Sequence, residues 1–269
     1  MGKRGGGSGG GAGGGSGYPQ MQFSMMVPMT PVVKWLIIVC VAIWLVFQVI
    51  VEQYLLSTPQ ITFLFGLVPL SVIQKFYVWQ LFTYIFLHSF NPLHILFNML
   101  LLWWLGSELE QRWGSKFFLS FFLVSGVGAG IIYTAVIFLH AAITHSFTGF
   151  TNPVVGASGA IFGLMLAYGM IFGERVVYFM MVFPMRAKYF VLILGGMEVV
   201  TLLNSGIGGS DVANLAHLGG IASGYIFLRL YTKFQQSKWR KQSGKRGRGL
   251  RLVVNNDGKD KKDGPKYWN

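Results

Sequence analysis

The chain has 269 residues, of which 53% are hydrophobic and only 12% charged, where a soluble domain carries about 45–50% and roughly 25%. Its mean hydropathy is +0.52. That balance excludes a soluble globule, which lacks the polar surface to cover itself, and equally excludes disorder throughout. The 22 Lys and Arg against 9 Asp and Glu give a net charge of +13, which fits either a nucleic-acid partner or the cytoplasmic segments of a membrane protein. The single cysteine, Cys40, permits no internal disulfide and lies in an apolar run as a small hydrophobe.

Residues 1–30 open with an almost pure Gly/Ser stretch and are expected to be a flexible tail. The first predicted span covers about residues 32–51 and is closed by Glu52. Residues 52–90 hold shorter apolar runs broken by Pro69 and by Gln74-Lys75, the pattern of a long loop embedded in the interface. Further spans are predicted at about 92–107, 117–140, 156–173, 188–204 and 212–231, six in all. The short run at 176–185 is assigned to a loop or to an extension of the fifth helix. The expected organisation is therefore a tail over 1–30, a membrane domain over 31–232 and a basic, disordered tail over 233–269.

With the N-terminus inside, 21 of the 22 basic residues fall in inner segments and only Lys75 falls outside. This asymmetry follows the positive-inside bias and predicts cytoplasmic termini. It also accounts for the charge without nucleic acid, which is not expected as a partner. Contact between the basic C-terminal tail and anionic headgroups of the bilayer is expected instead.

Strongly polar residues inside spans mark function by default. Four stand out: His94 and Asn98 in span two, Ser158 in span four and His217 in span six. Spans two, four and six all enter from the outer face, and each residue lies in the first turns of its span. All four therefore share one depth. Ser158 sits in Gly156-Ala157-Ser158-Gly159-Ala160, where small neighbours permit close approach and leave helix-start N–H groups free for an oxyanion. Ala216, Gly220 and Gly224 form a small-residue stripe; packed against Gly159 and Gly163, it brings His217 to Ser158 as a general base. His94 and Asn98 are four apart, on one helix face about 6 Å along the axis, and suit donation to a developing oxyanion.

His94-x-x-x-Asn98, Gly156-Ala157-Ser158-Gly159 and Ala216-His217-x-Gly219-Gly220 together resemble the signature of the rhomboid family of intramembrane serine proteases. Their order, the six-span layout and the long first loop resemble it too, over about residues 30–231. The resemblance implies an all-α membrane protein, a six-transmembrane-helix rhomboid-like bundle. It also implies Ser158 as nucleophile and His217 as base in a dyad without a carboxylate, with His94, Asn98 and the Ser158 backbone N–H as oxyanion donors. Implied substrates are transmembrane proteins cut in or beside their spans, with no cofactor. The expected location is a multi-pass protein of a bacterial inner membrane. Residues 204–213 resemble the family's gate and cap loop. Two departures are visible: Trp79-Gln80 stands where many members have Trp-Arg, and Phe162 replaces a frequent Tyr beside the base.

Other signals carry less. Gly126-Val127-Gly128-Ala129-Gly130 lies in a span with no preceding strand, so it reads as helix packing rather than dinucleotide binding. The histidines show no metal-ligand spacing. Asp211 is out of phase with His217. Glu198, inside span five, is expected to bond a neighbouring helix or to tune the gate. Two competing functions are a catalytically inactive rhomboid-like binder of transmembrane segments and a small transporter. The transporter lacks both an inverted repeat and a charged path.

Overall fold

A computed structural model describes residues 28–56, 58–179, 183–207 and 212–246. Helix α1, Pro31–Ile43, continues directly into a π-helical stretch, Trp44–Leu56. Pro31 suits the first helical position because its missing N–H would be unpartnered there anyway. The next N–H groups are met from another helix. The buried Glu110 carboxylate accepts from Val32 at 3.1 Å and Val33 at 3.0 Å, and the Thr30 and Ser115 hydroxyls also donate to it. Glu52, expected to close the span, is instead buried within it. Its carboxylate accepts from the Thr62 amide at 2.8 Å and the Thr62 hydroxyl at 2.7 Å, so the helix runs on to Leu56.

The long first loop contains three short helices, α2 (Gln60–Phe65), α3 (Pro69–Gln74) and α4 (Gln80–Thr83), and a 3₁₀ turn at Tyr84–Phe86. Gln80 is fully buried among them. Its amide donates to the Phe63 carbonyl at 2.9 Å and its oxygen accepts from the Val68 N–H at 3.0 Å. A neutral amide thus ties the loop together. Tyr84 anchors the assembly by donating to the Gly126 carbonyl at 2.7 Å.

The second long segment comprises α5 (Pro92–Leu101), a π-helical stretch (Leu102–Gly106) and α6 (Ser107–Trp113). It opens on Pro92, with the Asn91 side chain capping the Leu93 N–H at 3.0 Å. The remaining long helices are α7 (Ser115–Thr144), α8 (Ser158–Ile171), α9 (Ala187–Ser205) and α10 (Val212–Arg246). Helical segments therefore occupy all six stretches where spans are predicted. Pro31–Leu56, Ser115–Thr144 and Ala187–Ser205 are long and apolar enough to cross a membrane, while the apolar Ser158–Ile171 is shorter.

The small residues of α7, α8 and α10 set the centre of the bundle. A Cβ placed on Gly220 of α10 would lie 1.9 Å from the Gly159 carbonyl oxygen of α8, and one on Gly224 would lie 3.3 Å from the Gly163 Cα. One on Gly219 would meet the Ala129 carbonyl of α7 at 3.1 Å. The small-residue stripe therefore packs on Gly159 and Gly163 as its spacing predicts.

Two further expectations change. Residues 176–185 do not extend the fifth helix. Val176–Phe179 (β1) and Phe183–Arg186 (β2) pair as an antiparallel hairpin, with Val176 opposite Arg186. Their β-branched and aromatic side chains favour a strand, and Pro184 disfavours helix. The predicted disordered tail from 233 is helical as far as Arg246, because Lys, Arg and Gln are good helix formers. Residues 1–27 and 247–269, in the predicted tails, lie outside the described residues, as do residues 208–211 of the predicted gate loop.

Candidate active site

Helix α8 begins at Ser158 itself, immediately after a sharp backbone turn. Gly156 has φ +130°, a conformation that side chains rarely tolerate, and its N–H donates to the Tyr84 carbonyl at 2.9 Å. A Cβ at Gly156 would stand 3.2 Å from the His94 ring and 3.5 Å from the Ser158 hydroxyl oxygen. The glycine therefore opens the space that these two side chains share. The first intrahelical bond of α8 runs from the Ile161 N–H to the Ala157 carbonyl, and no side chain caps the helix. The amides of Ser158, Gly159 and Ala160 are left without intrahelical partners at the positive end of the helix dipole.

The contact between Gly159 and Gly220 places the first turns of α8 and α10 side by side. His217, one turn before Gly220, brings Nε2 to 2.8 Å from Ser158 Oγ. Phe162, one turn after Ser158, stacks on the imidazole with ring centroids 4.4 Å apart and planes inclined by 14°. The ring is thus held from one face by an aromatic and at one edge by the serine. A hydroxyl proton directed at Nε2 makes that nitrogen the acceptor, so the ring proton belongs on Nδ1.

His94 enters from α5. The Ser89 N–H, which can only donate, points at His94 Nδ1 at 3.3 Å, and the Ser89 hydroxyl lies 2.9 Å from the same atom. Nδ1 is therefore an acceptor, and Nε2, on the Gly156 side, carries the proton. This makes His94 a donor toward the space beside Ser158. Asn98 is buried one turn further along α5 and donates one amide hydrogen to the His94 carbonyl at 2.8 Å. The structure thus brings Ser158, His217 and His94 around one space and leaves Asn98 a turn away, with its second amide hydrogen uncommitted in these bonds. His88 packs behind them, fully buried, with its ring 5.5 Å from that of His94.

One residue at the site belongs to none of the sequence motifs. Glu198 of α9 places Oε2 at 3.0 Å from His217 Nδ1, the edge of the ring opposite Ser158. The approach is off the line of an aligned hydrogen bond, and neither atom has another partner among the described residues. The signal available in the sequence is a lone carboxylate inside an apolar span. Its partner is hidden there because Glu198 and His217 belong to different helices.

The long apolar helices mark an integral membrane protein, with a polar cluster of serine and histidines among them. Residues 75–234, more than half of the chain, match the Rhomboid domain, and the chain belongs to the rhomboid family. It is 33% identical over 183 residues to RHOMBOID-like protein 1 of Arabidopsis thaliana, a match covering 67% of this chain and 42% of that protein. Rhomboid protease GluP of Bacillus subtilis is 31% identical over 165 residues, covering 60% and 28% of the two chains. Rhomboid protease GlpG of Salmonella choleraesuis is 29% identical over 199 residues, covering 71% and 60%. The chain thus spans less than two thirds of the length of each of these relatives.

Proposed function

We propose that the chain is an intramembrane serine endopeptidase that hydrolyses peptide bonds in or next to the transmembrane segments of other membrane proteins. The observation that carries this reading is the 2.8 Å approach of His217 Nε2 to Ser158 Oγ at the uncapped start of α8. Ser158 attacks the scissile carbonyl as its proton passes to His217, forming a tetrahedral oxyanion. The backbone amides at the start of α8, the Nε2–H of His94 and the free amide hydrogen of Asn98 stabilise that charge. His217 then gives its proton to the leaving amine, and water hydrolyses the acyl-enzyme by the reverse sequence. Two rhomboid proteases among the relatives support the reading.

The bundle is taken to span the membrane six times, with both termini cytoplasmic, in a bacterial inner membrane. The charge distribution supports this orientation. Glu108–Arg175 and the pairs of Glu174 with Arg186 and Lys188 fall in the segments assigned to the inner side. The test is cleavage of a transmembrane reporter substrate in proteoliposomes. Ser158→Ala and His217→Ala are expected to abolish product, with the protein still folded. Undiminished cleavage by Ser158→Ala would overturn the proposal. Transmembrane-segment binding without cleavage by the unaltered chain would establish the inactive-binder reading instead.

A further inference from the structure

We propose that Glu198 is the positioning carboxylate of the base, so that Ser158, His217 and Glu198 act as a triad assembled from three helices, α8, α10 and α9. The inference rests on the protease reading above and adds to it a group that no motif around Ser158 or His217 contains.

The other carboxylates among the described residues have work elsewhere. Glu52 is held by Thr62, Glu108 by Arg175 and Tyr168, Glu110 by Thr30, Val32, Val33 and Ser115, and Glu174 by Arg186 and Lys188. Among the described residues Glu198 is paired with no Lys or Arg, and its Oε2 has no aligned hydrogen-bond donor; the group it approaches is His217. A carboxylate in an apolar span is costly unless something there uses its charge. Both side chains are only 15% exposed, so the interaction is weakly screened by water.

The direction of approach defines the role. Ser158 occupies the Nε2 edge of His217 and Glu198 the Nδ1 edge, with Phe162 on the face. Nδ1 carries the proton when Nε2 accepts from serine, so the carboxylate favours the tautomer in which Nε2 is a base. When Oγ bonds to the substrate carbon and its proton moves to Nε2, the ring becomes a cation, and the carboxylate stabilises it. The proton leaves from Nε2 to the departing amine. Glu198 itself neither gains nor loses a proton, the behaviour of the aspartate in serine-protease triads.

The test uses the full chain in detergent micelles and a fluorophosphonate probe, which reports the reactivity of the serine without any protein substrate. The unaltered chain is expected to label in a manner abolished by Ser158→Ala. Glu198→Gln, which keeps size and hydrogen-bonding capacity but removes charge, is expected to slow labelling strongly, toward the about 10⁴-fold loss that the same exchange causes in a serine-protease triad, with its melting transition retained. Glu198→Asp restores the charge one methylene short and is expected to label at an intermediate rate, which a packing role would not produce. Labelling of Glu198→Gln at the unaltered rate overturns the triad while leaving the protease reading intact. Loss of Ser158-dependent labelling in the unaltered chain would instead overturn the protease reading. Should Glu198→Gln fail to assemble, Glu198→Asp decides. Slowed labelling by a folded Asp variant supports the proposal, and an unaltered rate overturns it.

Discussion

Helix α8 has 14 residues and buries eight of them, including Gly159, Gly163 and Tyr168, whereas α9 has 19 and buries only Ala187 and Phe190 near its start. Leu192, Met197, Val200 and Leu203 of α9 face outward, as suits a helix whose other neighbour is lipid. The two helices carry different parts of the candidate site. Ser158 stands on the helix that the rest of the bundle encloses. Glu198 stands on the helix that buries only residues of its first turn. Packing on three sides holds Ser158 in place, whereas Glu198 reaches the candidate site from a helix with few buried residues. Movement of α9 would change the setting of His217 without disturbing the contact between α8 and α10.

The sharpest break of this contrast is a methyl group on the enclosed side. Gly220→Ala would set its Cβ 1.9 Å from the Gly159 carbonyl, and both partners are backbone, so no side chain can swing away. Overpacking of this kind costs about 3 kcal/mol. The expected result is a large fall in melting temperature of the micelle-embedded chain, together with loss of fluorophosphonate labelling as α8 and α10 separate. An unchanged melting temperature would mean that the helix crossing is looser than the contact implies.

A smaller effect, confined to the site, is expected from Gly156→Ala. The φ of +130° is unfavourable for alanine, and its Cβ would press on the His94 ring at 3.2 Å. Backbone strain there costs about 1–3 kcal/mol, and displacing one oxyanion donor is expected to slow substrate cleavage by about 10²–10³-fold. Measured side by side, cleavage should fall far more steeply than thermal stability. Equal cleavage by the variant and the unaltered chain would remove His94 from the oxyanion site.

The enclosed and exposed helices also differ in how far their parts of the site are legible in the sequence. Ser158, His217 and the His94–Asn98 pair are legible because each belongs to a short motif in which glycines or helical spacing carry the geometry. The packing of Ala216, Gly220 and Gly224 on Gly159 and Gly163 is legible for the same reason: small residues at intervals of four serve close approach. Glu198 is visible as an anomaly but not as a partner of His217, since the two lie on separate helices and no local spacing encodes the crossing of α9 with α10. Glu52 misleads about the end of the first span. A carboxylate signals an end only if it is left to water, and Thr62 meets this one from α2. The hairpin at 176–186 is obscured by its shortness, and the helical run to Arg246 by its charge, which argues against burial but not against helix.

The gentlest probe applies the same change, glycine to alanine, to the exposed helix. A Cβ on Gly196 of α9 meets nothing within 4 Å, whereas one on Gly163 of α8 would lie 2.7 Å from Ser125. Alanine loses less backbone entropy than glycine in a helix, a gain of about 0.5–1 kcal/mol where space is free. Gly196→Ala is therefore expected to raise the melting temperature slightly, and Gly163→Ala to lower it. If α9 must flex to bring Glu198 onto His217, stiffening it two residues away should alter the labelling rate even as stability improves. If Glu198 is held in place without such movement, the rate should stay within about twofold of the unaltered chain while the melting temperature still rises. A fall in stability would show that α9 is packed as tightly as α8, and the contrast between the two helices would fail.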